Sequence, residues 1–213
     1  MRMRKKKNLI PRMAACADLL VASPAENRGS WRQRFGRTGE LLLEIGCGKG
    51  QFAVGTASQR PEDLMIAVEK CENVLLLALE KAKKAGLDNL YFISADAAAL
   101  AEAFAPGEVS RIYLNFSDPW PASNRAKRRL THPNFLKIYD AILRPGGEIR
   151  LKTDNPRLFE FSVCQLSQFG YPLLDVSLNL HARQDEDNVM TEYEQRFSEQ
   201  GLPIYFLCAK KPE

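Results

Sequence analysis

The sequence predicts an α/β fold in which a mostly parallel, twisted sheet carries helices on both faces. Short apolar runs alternate with longer helical patterns along most of the chain, and this alternation is typical of parallel strands joined by crossover helices. Glycines such as Gly86 and Gly170 follow several of the helical patterns. A glycine-rich segment comes directly after the first apolar run. Because such sheets bind ligands at the carboxyl ends of their strands, we expect the functional residues just after each run.

Seven short runs rich in apolar residues are the predicted strands. They span residues 41–45, 64–68, 90–93, 111–116, 148–153, 173–180 and 204–209. Five helical patterns lie between them, at 51–58, 71–85, 97–104, 133–143 and 156–169. The clearest helical pattern places Leu75, Leu79 and Ala82 on one face and ends at Gly86. Residues 23–39 are predicted to form a loop.

Composition excludes several classes of protein. The 213 residues suffice for one domain with a full core. The five cysteines are scattered, with no Cys-x-x-Cys pair, so we expect the protein to reside in the reducing cytoplasm. With only two histidines as well, we expect no metal site. No apolar run is long enough to span a membrane. A signal peptide is rejected because Pro11 and Arg12 interrupt the N-terminal apolar stretch.

Positive charge is clustered in two places although the net charge is only +4. Six of the first twelve residues are Lys or Arg and none is acidic, and a second basic cluster spans 125–129. Such clusters suit a polyanion, although a solvated tail and a solvated turn would have the same composition. We expect residues 1–30 to form a basic, partly flexible arm and residues 31–213 to form a single domain.

The glycine-rich segment after the first strand reads Glu-Ile-Gly-Cys-Gly-Lys-Gly from Glu44 to Gly50. Glycines allow a backbone to approach a ligand closely. The dinucleotide fingerprint is absent because Gln51 stands where its third glycine would be. The pattern resembles the first motif of class I methyltransferases, whose cationic cofactor would favour the carboxylate of Glu44. A glycine-rich turn without function is the alternative.

Acidic residues also follow the next three strands. Glu69 suits the hydroxyls of a ribose, a feature shared with NAD enzymes. Asp96 is placed to accept from an adenine amino group, with the backbone N–H of Ala97 beside it. Asp118 lies in an Asn-Phe-Ser-Asp-Pro-Trp-Pro segment, which is either an ordinary Asp-Pro turn or, next to Trp120 and the basic cluster, part of a catalytic site for a splayed nucleotide.

These motifs together resemble the bacterial tRNA (guanine-N7-)-methyltransferases from about Trp31 onward. The most specific pieces are the 115–121 segment, Lys-Arg-Arg-Leu-Thr at 127–131, Lys-Thr-Asp-Asn at 152–155, and Thr-Glu-Tyr-Glu-Gln-Arg-Phe at 191–197 followed by Gly-Leu-Pro-Ile. The resemblance implies a Rossmann-like class I methyltransferase domain with an antiparallel C-terminal strand. It also implies S-adenosylmethionine as cofactor, tRNA as partner, no metal, no membrane, and a monomer or homodimer.

The resemblance assigns roles to individual residues. Asp118 is the expected catalytic acid. The implied cofactor-binding residues are Glu44, Gly46, Gly48, Glu69, Asp96, Ala97 and Asp118. The implied guanine-binding residues are Asp154, Thr191 and Glu194, and the implied RNA-contacting residues are Asn124, Arg125, Lys127, Arg128 and Arg129. The chain departs from the family at Ala122, where a lysine is usual, so RNA affinity is expected to depend more on Arg125, Lys127 and the N-terminal arm.

Three other functions are compatible with parts of the sequence. A nicotinamide oxidoreductase would share the fold and Glu69 but would not account for Gln51 in the glycine segment. A methyltransferase acting on a small molecule or a protein would not need the basic cluster. A non-catalytic RNA-binding protein on the same scaffold would not need an acid at every cofactor position.

Overall fold

The computed structural model describes residues 6–183 and 188–213. Its centre is a seven-stranded sheet in the order β3-β2-β1-β4-β5-β7-β6. The strands are β1 Leu41–Ile45, β2 Leu64–Val68, β3 Leu90–Ile93, β4 Val109–Asn115, β5 Leu143–Thr153, β6 Leu173–Ser177 and β7 Tyr205–Lys210. Strands β1 to β5 pair in parallel, and β7 runs antiparallel to both β5 and β6. The predicted fold and its antiparallel C-terminal strand are confirmed.

Helices cover both faces of the sheet, as expected for strands joined by crossovers. They are α1 Leu9–Ala14, α2 Trp31–Arg34, α3 Gln51–Gln59, α4 Glu72–Ala85, α5 Leu100–Ala103, α6 Pro133–Ile142, α7 Pro156–Gln168 and α8 Glu192–Glu199. Short 3₁₀ helices span Pro24–Asn27, Ala97–Ala99, Ser123–Arg128 and Leu180–Arg183.

The core lies in two layers, one on each side of the sheet. Successive residues of β1 alternate between them: Leu43 packs with α6 and α7 residues, whereas Leu42 packs with Phe52 of α3 and Leu75 of α4. All five residues of β1 and of β2 are buried. Burial on both faces explains why these strands are apolar runs in the sequence, with Glu44 as the one charged residue among them.

Two strand boundaries differ from the prediction by three residues or more. Strand β5 begins at Leu143 and not at 148, because the Pro-Gly-Gly segment between the predicted helix and the predicted strand forms an irregular start of the strand. There the register with β4 shifts, and backbone bonds join Gly146 and Gly147 to Lys211 at 3.1 and 2.8 Å. Strand β6 ends at Ser177 instead of continuing to 180.

The prediction of a loop at 23–39 was wrong in part, since this segment contains a 3₁₀ helix and helix α2. The cause is Trp31, which is fully buried and donates from Nε1 to the carbonyl of Ala103 at 2.8 Å. The preceding residues also pack on the domain: Phe92 of β3 exchanges backbone bonds of 2.9 Å with Leu19 and Val21. The proposed division at residue 30 stays a prediction.

The described residues contain neither a membrane-spanning helix nor a metal-binding cluster. Over 6–183 and 188–213, no helix combines the length and apolar character that a membrane span requires. The same ranges contain no group of three or more histidine, cysteine or carboxylate side chains placed to hold a metal ion.

Candidate active site

A cavity of about 550 Å³ opens at the carboxyl ends of β1 to β4. This is where the fold places ligands. All the residues assigned to the cofactor except Glu44 line it, and they come from four separate strand ends. These residues are Gly46, Gly48, Glu69, Asp96, Ala97 and Asp118. The sheet therefore brings together residues that lie up to about 70 positions apart in the sequence.

The glycine segment forms the floor of the cavity. Its turn is tied to β2, because Gly46 and Cys47 donate to the carbonyl of Val68 at 2.8 and 3.0 Å. Gly46 and Gly48 have φ values of +77° and +59°, which favour glycine, and a Cβ on either would meet no atom within 4 Å. Open space above a backbone turn is what a closely approaching ligand requires.

Glu44 lies beneath the glycine segment and is only 2% exposed. Its Oε1 accepts from Nδ2 of Asn115 at 2.9 Å, whereas Oε2 has no hydrogen-bond partner among the described residues. Burial raises the pKa of Glu44 to about 7, with the bond from Asn115 acting in the opposite direction. A buried carboxyl with an unused oxygen is suited to the amino group of a cationic ligand.

Glu69 and Asp96 are held in place by backbone groups. The carboxylate of Glu69 accepts from the N–H of Gly48 at 3.2 Å and from that of Cys71 at 2.9 Å. Asp96 caps the following 3₁₀ helix by accepting from Ala98 at 3.1 Å. Both side chains reach the cavity with their orientation already fixed, which lowers the entropic cost of binding a ligand.

The Asp118 loop is strained on both sides of its carboxylate. Phe116 and Trp120 adopt φ values of +50° and +41°, a region that side-chain-bearing residues rarely occupy. Arg129 stabilises the loop by donating to the carbonyls of Pro119 and Trp120 at 2.9 and 3.1 Å. Asp118 itself is exposed on the cavity wall. Strain concentrated around one exposed carboxylate indicates a functional position.

The basic cluster forms the rim of this cavity. Asn124, Arg125, Lys127 and Arg128 are exposed on the 3₁₀ helix Ser123–Arg128, and the last two of them line the cavity. Arg128 lies over the ring of Trp120 at 4.8 Å. Arg129 differs, because its guanidinium bonds the Asp118 loop and stacks on Phe161 at 4.5 Å. Its assignment to RNA stays a prediction, and the contacts observed are internal.

The residues assigned to guanine fall into two groups. Asp154 is exposed at the end of β5. Thr191 and Glu194 instead form a capping box at the start of α8, in which Thr191 Oγ1 accepts from the Glu194 N–H at 2.9 Å. Glu194 is fully buried and accepts from Lys152 at 3.0 Å and from Asn188 at 2.7 Å. Its predicted contact with guanine is untested, and the observed contacts hold α8.

Two further residues of the site were not predicted. Tyr193 of α8 is 58% exposed, lines the cavity and stacks on Phe116 with ring centroids 6.2 Å apart. Lys152 is buried in β5 and contacts Asn188, the carbonyl of Val189 and Glu194. No signal for Lys152 was present in the sequence, because Glu148 and Arg150 precede it at alternate positions and it continues the same pattern.

Comparison with known proteins agrees with this geometry. Residues 38–207 match the family described as "Putative methyltransferase". The tRNA (guanine-N(7)-)-methyltransferase of Lactococcus lactis subsp. cremoris (strain SK11) is 49% identical over 99% of this chain and 98% of its own length. That of Bacillus subtilis (strain 168) is 44% identical over 96% of each.

Among solved structures, the 16S rRNA methyltransferase KamB shares the fold, with a TM-score of 0.64 at 18% identity over 86% of this chain and 93% of that one. At this identity the similarity concerns the fold alone. The match over nearly the full length to the curated relatives is much more specific. The chain belongs to the tRNA (guanine-N(7)-)-methyltransferase family.

Proposed function

We propose that the protein transfers a methyl group from S-adenosylmethionine to N7 of a guanine in the variable loop of tRNA. The observation that carries this proposal is the single cavity into which Glu69, Asp96 and Asp118 converge beneath a rim of basic residues. The acids suit the cofactor, and the rim with Trp120 suits a nucleotide and its phosphates. Membership of the family supports the same acceptor.

The residues present fit S-adenosylmethionine. The unused oxygen of Glu44 suits its amino group, the anchored carboxylate of Glu69 suits its ribose, and Asp96 with Ala97 suits its adenine. When bound, the cofactor supplies an electrophilic methyl group on a positively charged sulfur. The glycine segment leaves room above Gly46 and Gly48 for close approach.

The acceptor atom needs no general base, because guanine N7 already carries an in-plane lone pair and no proton leaves before attack. Catalysis then rests on orientation and electrostatics. Asp118 is exposed in the cavity and offsets the positive charge that develops on the guanine ring. Asp154 accepts from the N1–H and amino group on the Watson–Crick edge, which adenine does not present in the same way.

Orientation of the acceptor depends on α8. Glu194 is best supported as a positioning residue, since its bonds to Lys152 and Asn188 fix the start of that helix. The exposed ring of Tyr193, already stacked with Phe116, provides a surface on which a splayed guanine can stack.

The test is methylation of unmodified tRNA by wild-type protein and by Asp118→Ala, followed by nucleoside mass spectrometry for N7-methylguanosine. We expect the variant to lose about 100-fold or more in turnover, the size of effect seen when one electrostatic contact to a transition state is removed, and to keep its affinity for tRNA. Glu102→Ala, an exposed acid on α5, is the control. Near-normal turnover of Asp118→Ala, or methylation of another base by the wild type, would contradict the proposal.

A further inference from the structure

A second cavity, of about 600 Å³, lies on the α3 side of the sheet. It is bounded by α3, by β4, β5 and β7, and by Asn188 and Val189. Helices α3 and α4 cover β1 to β3 on this side, and the cavity occupies the space next to them. Within the described part of the chain its wall contains four cations, from Arg60, Arg111, Arg150 and Lys152, and no acid.

The cations face the cavity because alternate residues of a strand point to the same side. Arg111 belongs to β4, and Arg150 and Lys152 belong to β5. Their acid partners are absent from the lining: Glu148 accepts from Nε of Arg111 and of Arg150, each at 2.9 Å, and Glu194 accepts from Lys152. Glu40 also lies 3.8 Å from both Arg60 and Arg111. None of these acids lines the cavity, whereas the four cations do.

Donor capacity remains on the guanidinium groups of Arg60 and Arg150. A guanidinium has five N–H donors, and the bond from Arg150 to Glu148 uses one of them. Arg60 donates to Asp63 at 2.9 Å through Nη1. Planar N–H pairs of this kind bind phosphate oxygens in a bidentate manner. An oxyanion in the cavity would therefore meet several donors whose positions are already fixed by bonds to protein acids.

Thr56 of α3 provides an independent indication of a ligand. It is only 4% exposed and lines the cavity, yet its Oγ1 has no hydrogen-bond partner among the described residues. A threonine inside a helix ordinarily bonds a carbonyl of the preceding turn, and a buried hydroxyl without a partner is unfavourable. A ligand oxygen would satisfy it.

Aromatic residues form the remainder of the wall. Phe52, Tyr113 and Phe206 line the cavity, and Phe52 and Tyr113 are in edge contact with centroids 4.8 Å apart. The volume exceeds what a lone phosphate fills and lies in the range of small organic ligands. The Nζ of Lys152 lies 5.4 Å over the ring of Phe52, so the half-buried Phe206 provides the aromatic face for a heterocyclic base.

From these observations we propose that the second cavity binds a nucleotide. The phosphate lies against Arg60, Arg111 and Arg150 with a hydrogen bond from Thr56, and the base lies against Phe206. The nucleotide is either free or a residue of an RNA chain, since both present the same phosphate and base. The site is separate from the cavity that contains Asp118.

The test is calorimetric titration with AMP in the presence of saturating S-adenosylhomocysteine, which keeps AMP out of the first cavity. Adenosine and inorganic phosphate are titrated separately, and we expect both to bind more weakly than AMP. Thr56→Val and Arg150→Ala should each weaken AMP binding about tenfold. Arg34→Ala, which changes an exposed arginine lining neither cavity, should have no effect.

Thr56→Val also separates binding from folding. Because its hydroxyl has no partner among the described residues, the variant should unfold at the same urea concentration as the wild type or a higher one. A loss of affinity in a protein of unchanged stability supports the site. None of these measurements requires methyl transfer. The second nucleotide site can therefore be refuted while the proposed function holds, and the proposed function can be refuted while the site holds.

A second arm distinguishes the two sources of the nucleotide. Unmodified tRNA is titrated into the same four proteins. Weaker AMP binding by Thr56→Val and Arg150→Ala with unchanged tRNA binding identifies a free nucleotide. Weaker tRNA binding, with or without weaker AMP binding, identifies a nucleotide of the RNA. If both variants match the wild type with AMP and with tRNA, the proposal is overturned.

Discussion

The buried carboxyl of Glu44 makes the stability of the ligand-free protein depend on pH in a way that one substitution should remove. Burial moves its pKa from 4.5 to about 7. Since one pKa unit corresponds to about 1.4 kcal/mol, ionised Glu44 destabilises the folded chain by about 3 kcal/mol. The change that tests this is Glu44→Gln, which keeps the shape and leaves an amide oxygen for Asn115.

The direction of the pH dependence follows from whether the folded or the unfolded chain keeps the proton of Glu44. Below pH 4.5 Glu44 is protonated in the folded and the unfolded chain, and its contribution to stability is fully present. Between pH 4.5 and 7 the folded chain keeps a proton that the unfolded chain has released, so the free energy of unfolding falls as pH rises. Above pH 7 Glu44 is ionised in both states, and its contribution to the free energy of unfolding is fully lost. Glu44→Gln cannot titrate and should not show this fall.

The assay is urea unfolding of wild-type and Glu44→Gln protein at intervals from pH 4.5 to pH 8.5, without ligand. The difference in unfolding free energy between the two cancels the titration of all other groups. We expect this difference to change by about 3 kcal/mol in favour of the variant as pH rises. Two parallel pH profiles, separated by a constant amount, would refute the buried environment described for Glu44.

Two further predictions concern the rim and the start of α8. Replacing Lys127 and Arg128 together by alanine should weaken tRNA binding and reduce the slope of log affinity against log salt by about 2, as filter binding at several salt concentrations would show; the exposed Arg34→Ala should leave the slope unchanged. Lys152→Met should lower the free energy of unfolding by about 3–5 kcal/mol, because it leaves Glu194 buried without its cation, and an unchanged urea midpoint would contradict this.

Most of the fold could be predicted because its central strands are buried on both faces. Continuous runs such as 41–45 and 64–68 have no polar face that could confuse the assignment, and glycine stops separate them from the helices. The start of β5 was missed because Pro145 and two glycines are typical of a turn. Their place in the strand depends on bonds to Lys211, more than 60 residues later in the sequence.

Short helices were the other elements that the sequence did not predict. Helix α2 has four residues, too few to show a periodic pattern or to be stable alone. It exists because Trp31 enters the core between Phe35 and Phe104, with which it stacks at 5.8 and 5.2 Å. Tertiary contact determines such a segment, and single-sequence periodicity cannot show it.

The cavity residues at the strand ends were predicted more completely than those contributed by residues 188–197. Glu69, Asp96 and Asp118 each follow a strand, and the carboxyl ends of adjacent parallel strands meet at one edge of the sheet. No equivalent rule applies to residues 188–197, which reach the site from the C-terminal part of the chain. Their positions depend on long-range contacts such as those from Gln51 to Met190 and from Lys81 to Glu192.

Glu194 shows why a motif identified in the sequence does not reveal how its residues act. Its carboxylate is 0% exposed and is bonded to Lys152, so presenting it to guanine would break a buried ion pair. Asp154 is exposed just after the end of β5 and faces no such penalty. Discrimination of guanine is therefore better assigned to Asp154. Thr191 and Glu194 contribute by fixing the helix that carries Tyr193 to the cavity wall.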